Sequence, residues 1–159
     1  MSHRAVDIIV ADDDTLVLGV LSEILQECGY SVRVAGNGLE ALTEIRDRVP
    51  DILLSDLNMP RMSGFELLSI VRRRYPKIKV IAMSASYPLE IVPQGVAADG
   101  FYEKNATSTA QLLPIVSAMR DEPESQLMPA STPINVMGQL SLEASPLITA
   151  APASLTISS

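Results

Sequence analysis

Five short apolar runs, each followed by a stretch with helical spacing, constrain this chain more than any other feature. The runs are Val6–Ala11, Ser31–Ala35, Asp51–Ser55, Lys77–Met83 and Gly100–Glu103. Each is too short for a buried helix and suits a buried strand. Between the first two, Leu16, Val20, Leu21, Ile24, Leu25 and Cys28 recur at helical spacings, so Thr15–Cys28 reads as an amphipathic helix stopped by Gly29. Leu39, Leu42, Ile45 and Val49 give a second helical face over Gly38–Val49. Phe65–Tyr75 reads as a third helix, whose basic end, Arg72-Arg73-Arg74, suits the helix dipole. The stretch from Pro88 to Ala98 is weakly helical, with Pro88 and Pro93 inside it. Thr107–Arg120 reads as a helix despite Pro114. Strands alternating with helices in this order imply an α/β fold with a doubly wound, five-stranded parallel sheet covered on both faces.

In such a sheet, ligands bind beyond the carboxyl ends of the strands. Asp12 and Asp13 end the first run, Asp56 closes the third, Ser84 follows the fourth, and Lys104 follows the fifth. The second run, ending near Gly36, delivers no such group. Four strands thus bring polar or charged groups to one edge, which solvated loops do not explain. Asp12, Asp13 and Asp56 repel one another unless a cation sits among them. Mg²⁺ suits them, because it takes oxygen ligands and is commonly held by one or two carboxylates plus a phosphate oxygen. Lys104 is a compact charge able to pair with a carboxylate and then with a phosphoryl oxygen. Ser84 offers a hydroxyl. A carboxylate in this setting can attack phosphorus to form an acyl phosphate. The third aspartate of the run, Asp14, reads as an ordinary helix N-cap.

The segments IIVADDD, LLSDLNMPRMSGFELL, VIAMSAS and GFYEK, in that order, resemble response-regulator receiver domains of two-component signalling. The resemblance covers about residues 5–120 and is closest in kind to a stand-alone, chemotaxis-regulator-like receiver. It implies a flavodoxin-like (βα)5 fold with strand order 2-1-3-4-5. It also implies that Asp56 is the phosphoacceptor, and that Asp12 and Asp13, with Asp56 and the backbone carbonyl of Asn58, hold Mg²⁺. Ser84 is then the switch hydroxyl, Phe101 the switch aromatic, and Lys104 the conserved-type lysine. Partners implied are a histidine kinase or phosphotransfer protein upstream and a protein target downstream. Output is expected through protein–protein contact or onward phosphotransfer. The only reactions expected are the chain's own phosphorylation and dephosphorylation.

Three features depart from the family pattern. Asn105 stands where a proline usually follows the lysine. A cis bond before a residue other than proline costs about 2.5–4 kcal/mol, so this bond is expected to be strained or trans. Phe101 lacks the hydroxyl of the tyrosine often found there, and Tyr102 should face the opposite side of its strand. The segment between Ser84 and Lys104 is short and holds two prolines.

Two other functions compete with this one. Haloacid-dehalogenase-like phosphatases use a strand-ending D-x-D-x-T. Asp12 and Asp14 match its acids, but Leu16 occupies the threonine position. A receiver-like scaffold that is never phosphorylated is favoured by Asn105 and opposed by the intact acidic set. His3 reads as a solvated terminal residue, Arg72–Arg74 as a solvated helix end, and Cys28 as a small buried apolar residue. Gly36-Asn37-Gly38 reads as a turn rather than a phosphate-binding loop.

Composition sets the remaining limits. The chain has 159 residues, one cysteine and a formal charge of −7. A lone cysteine suits a reducing compartment. No apolar run approaches the ~18 residues of a membrane span, and no signal peptide is evident. A cytoplasmic protein that neither inserts into membranes nor binds nucleic acid directly is therefore expected. All 12 bases and 15 of the 19 acids precede residue 121, whereas residues 121–159 carry four acids and no base. A receiver domain over 1–120 and a disordered Ser/Pro/Ala-rich tail over 121–159 are expected.

Overall fold

The computed structural model describes residues 3–86, 95–105 and 109–121. In chain order they form β1 (Asp7–Ala11), α1 (Thr15–Glu27), β2 (Ser31–Ala35), α2 (Gly38–Asp47), β3 (Ile52–Asp56), α3 (Gly64–Arg74), β4 (Lys79–Ser84), β5 (Gly100–Glu103) and α4 (Thr109–Asp121). The five strands pair in parallel in the order β2-β1-β3-β4-β5. The expected sheet and its order are thus observed. The helical expectation for 88–98 falls mostly on 87–94, outside the described residues, as does the expectation of a tail, beyond Asp121.

Alternation along the strands sends side chains to two apolar layers. Ile9, Leu53, Val80 and Ala82 pack with Ala41, Leu42 and Ile45 of α2 and Leu67, Leu68 and Val71 of α3. Ile8, Val10, Leu54, Ile81 and Met83 pack with Leu18, Leu21 and Leu25 of α1 and Leu112 and Val116 of α4. Phe101 packs against the first layer and Tyr102 lies in the second, so the two aromatics face opposite sides as expected.

The helix ends have local causes. The Asp14 side chain accepts from the Leu16 N–H, capping α1, while Gly29 at φ +88° follows its last turn. Asn37 caps α2 by accepting from the Glu40 N–H. Ser63 and Glu66 form a capping box at the start of α3. Two backbone N–H groups and the Ser63 hydroxyl thereby gain partners, and the Ser63 contacts, its N–H first, lower the pKa of Glu66.

The buried stripe of α1 differs from the expected one. Leu18, Leu21 and Leu25 are buried, whereas Leu16 is 78% exposed and Val20 50% exposed. Cys28 is exposed too, not a core residue. Leu39 and Val49 are likewise half exposed, and α2 ends two residues before Val49. Arg72 is not simply a solvated helix end: its guanidinium reaches Asp99.

Candidate functional site

Strand β1 delivers Asp12 to the carboxyl edge of the sheet. The Asp12 N–H donates to the Ala35 carbonyl at 3.0 Å, tying the residue to the end of β2. Its Oδ1 accepts from the Asp14 N–H at 2.9 Å. The turn therefore directs Asp12 inward, leaves Asp13 exposed at the rim, and commits Asp14 to the helix cap. The Asp12/Asp14 pair required by the phosphatase motif is not formed, because only Asp12 of the two reaches the site.

Strand β3 delivers Asp56, which is buried. The loop after it is held by α3: the Gly64 N–H donates to the Leu57 carbonyl at 3.0 Å. A Cβ on Gly64 would lie 2.0 Å from the Asp56 carbonyl oxygen, so this approach requires glycine. Arg61 in the same loop adopts φ 67°, a strained conformation for a residue with a Cβ.

Asp12, Asp13 and Asp56 offer one carboxylate oxygen each within 4.8 Å of one another. Lys104, at the end of β5, bridges the two buried members. Its Nζ donates to Asp12 Oδ2 at 2.8 Å and lies 3.1 Å from Asp56 Oδ2. The Lys104 N–H donates to the Ser84 carbonyl at 2.8 Å, which holds the end of β5 to β4. The described peptide bonds, Lys104–Asn105 included, are all trans, and the lysine still reaches both carboxylates. Ser84 is fully buried and its Oγ accepts from the Ser86 N–H at 3.0 Å. Since Asp56 registers with Met83, Ser84 stands one residue further on the neighbouring strand. Phe101 is half-buried. The structure therefore brings Asp12, Asp13, Asp56 and Lys104 together and sets Ser84 on the adjoining strand end.

The electrostatics follow from burial. Desolvation raises the pKa of Asp56, with the charge of Asp12 adding to it; Lys104 and the Asn58 N–H offset this only in part. For Lys104, desolvation alone would lower the pKa, but the hydrogen bonds and charges of Asp12 and Asp56 outweigh it, and its pKa is raised. One ammonium thus serves two buried carboxylates with a third nearby. Three hard oxygen donors in that state fit a small divalent cation.

Sequence reasoning missed two features, one beside the site and one at the far end of α3. One is an apolar cavity of about 300 Å³ beside Lys104, lined by Leu16, Val17, Val20 and Tyr102 among others. The other is the set of contacts from Arg72 to Asp99 and to the Ala97 carbonyl. The first was hidden because Leu16 and Val20 share a helical period with core residues. The second joins residues far apart in sequence.

This sheet, with an acidic cluster and a lysine at its carboxyl edge, has the arrangement of a signalling receiver domain and is consistent with a phosphorylation-dependent switch. The chain belongs to the response regulator receiver domain family, whose model matches residues 8–113. Among curated relatives, it is 41% identical over 85 residues to the transcriptional regulatory protein ZraR of Klebsiella oxytoca, covering 54% of this chain and 19% of that one. Among solved structures, it resembles the chemotaxis response regulator CheY4 of Vibrio cholerae, with 28% identity, a TM-score of 0.67, and coverage of 73% of this chain and 99% of that one. It also resembles the response regulator TrrA of Thermotoga maritima, solved in complex with Mg²⁺ and a beryllium fluoride, with 29% identity, a TM-score of 0.66, and coverage of 72% and 98%. The chain spans about a fifth of the length of the first curated relatives it matches. Family membership implies a phosphodonor partner. Among the described residues no helix is long and apolar enough to cross a membrane.

Proposed function

We propose that Asp56 accepts a phosphoryl group from a histidine kinase or phosphotransfer protein, and that the resulting aspartyl phosphate sets the state of the domain. The observation that carries this reading is the sharing of one ammonium, Lys104, by two buried carboxylates beside a third. Asp12, Asp13, Asp56 and the Asn58 carbonyl are the proposed Mg²⁺ ligands. When bound, the ion supplies charge neutralisation for the acidic cluster and the incoming phosphoryl oxygens. Asp56 Oδ forms the bond to phosphorus as the donor's nitrogen leaves. Lys104, already between the carboxylates, pairs with a phosphoryl oxygen. Ser84 donates its hydroxyl to another, giving up its present geometry, and Phe101 turns into the space behind it. The apolar cavity beside Lys104 offers the phosphodonor protein a contact next to the acceptor.

The domain is then a switch that catalyses only its own phosphorylation and dephosphorylation, in the cytoplasm. Output runs through contact with a protein target or onward phosphotransfer, without direct nucleic-acid binding, in keeping with the net charge of −7. Incubation with Mg²⁺ and acetyl phosphate should add one phosphoryl mass, measured by mass spectrometry, and Asp56→Asn should abolish it. Equal labelling of Asp56→Asn would overturn the acceptor assignment. Asp13→Ala should lose the Mg²⁺-dependent rise in melting temperature.

A further inference from the structure

The helix α3 touches the site at one end and the start of β5 at the other. At its first residue, Gly64 packs against the Asp56 backbone. Eight residues on, about 12 Å along the axis, Arg72 Nη2 donates to the Ala97 carbonyl at 3.1 Å and to Asp99 Oδ2 at 3.0 Å. That same Oδ2 accepts from the Val80 N–H at 2.8 Å, and the Asp99 N–H donates to the Val80 carbonyl at 2.7 Å. The Asp99 side chain therefore supplies the acceptor that extends the β4–β5 ladder by one step ahead of Gly100, whose partner is Ile81.

Strand β5 needs such a device. It is an edge strand of four residues, held by β4 alone within the sheet. Lys104 follows directly and owes its place between Asp12 and Asp56 to the alignment of this strand. A slip of one residue would reverse the faces of Phe101 and Tyr102 and withdraw Lys104. We infer that Arg72 is a positioning residue: by clamping the Asp99 carboxylate onto Val80 it fixes the origin of β5, and so fixes where Lys104 and Phe101 stand relative to Asp56. The link runs from one rigid helix to the short strand that carries the lysine, and Arg72 touches none of the reacting groups. This inference rests on the proposed role of Asp56 and Lys104 for its consequence, but not for its geometry.

Two measurements separate the two readings. Backbone amide exchange over Gly100–Lys104 reports the alignment of β5 without any phosphoryl chemistry. Affinity for beryllofluoride with Mg²⁺ reports the site. Arg72→Ala should lower protection of those amides and the beryllofluoride affinity by roughly tenfold each, the scale of a lost charge-assisted hydrogen bond. One nitrogen serves both acceptors, so the ammonium of Arg72→Lys should restore most of both. Asp99→Asn keeps an acceptor for Val80 but loses the charge, and should resemble Arg72→Ala. In a Lys104→Met background, Arg72→Ala should produce no further loss of beryllofluoride affinity, because its effect passes through the lysine. Unchanged exchange in Arg72→Ala, or losses that add fully in the double variant, would overturn the inference. Failure of the wild-type chain to respond to beryllofluoride would instead overturn the proposed function, with the exchange result still deciding the role of Arg72.

Discussion

Replacing Lys104 by methionine tests the electrostatics of the site most directly. At an effective dielectric near 20, unit charges about 3 Å apart attract by roughly 5 kcal/mol. Lys104 makes two such contacts, at 2.8 Å and 3.1 Å. Desolvation of the ions offsets much of this, and breaking a buried pair costs about 3–5 kcal/mol in net stability. The lysine side chain retains 16% exposure and Asp12 keeps its bond from the Asp14 N–H, which argues for the lower end, about 3 kcal/mol. Urea denaturation at pH 8 without divalent ions should show that loss as a midpoint lower by roughly 2 M, for a slope near 1.5 kcal/mol/M. The loss should shrink on acidification, because Asp56, whose pKa burial already raises, then relieves the repulsion by taking up a proton. It should also shrink as Mg²⁺ is added, because the ion and the ammonium neutralise the same carboxylates. A loss under about 1 kcal/mol, or a gap that saturating Mg²⁺ leaves unchanged, would refute the argument.

Three further perturbations follow from the same geometry. The folded-state pKa of Asp56 lies above its unfolded value, so the folded chain holds more protons in that window and stability falls as pH rises through it. Asp56→Asn should therefore exceed wild type in urea midpoint at pH 7, with the advantage narrowing toward the ordinary Asp range near 4; an advantage that grows on acidification would contradict the sign. Gly64→Ala forces a Cβ to within 2.0 Å of the Asp56 carbonyl and should cost about 3 kcal/mol along with the beryllofluoride response, whereas Gly19→Ala, with nothing within 4 Å of its Cβ in α1, should gain roughly 0.5–1 kcal/mol. Arg61 at φ 67° should tolerate glycine with little change, while Arg61→Val should cost about 1–2 kcal/mol by chemical denaturation, and equal stability of the two variants would show that the loop relaxes out of the left-handed region.

The sheet and its acids were legible because both are local in sequence. Each apolar run is contiguous, and Asp12, Asp56, Ser84 and Lys104 each stand at or just past a strand end. Which face of α1 is buried was not legible. Leu16, Val20 and Ile24 make one helical stripe and Leu18, Leu21 and Leu25 another, and only the position of the sheet decides between them. Charge partners distant in sequence were also invisible. Asp7 lies inside the first apolar run and is buried, yet nothing near it announces Arg33 and Arg48, which reach it from β2 and from the end of α2. Arg72 looked like one of three equivalent helix-end cations until Asp99, 27 residues away, set it apart.

Asp7 and Asp56 show why one buried acid belongs to the fold and the other to the site. Asp7, at the amino end of β1, is met by Arg33 at 2.7 Å and Arg48 at 3.1 Å, and Arg33 also meets Glu44 at 3.1 Å, so two cations answer two carboxylates. Asp56, at the carboxyl end of β3, shares its only close cation among the described residues with Asp12. The same sheet thus neutralises a buried acid fully at one end and leaves buried acids short of positive charge at the other. Stability alone would favour the first arrangement at both ends, since uncompensated buried charge is costly. Under the proposed function the deficit at the carboxyl edge has a use: a cation offsets the carboxylates, and Lys104 is then freed for an oxygen of the incoming anionic group. On this argument, Asp7→Asn should disturb folding without affecting the Mg²⁺ response, and Asp13→Ala should do the reverse; melting curves with and without Mg²⁺ distinguish them, and a Mg²⁺ response lost in Asp7→Asn would break the separation between the two ends of the sheet.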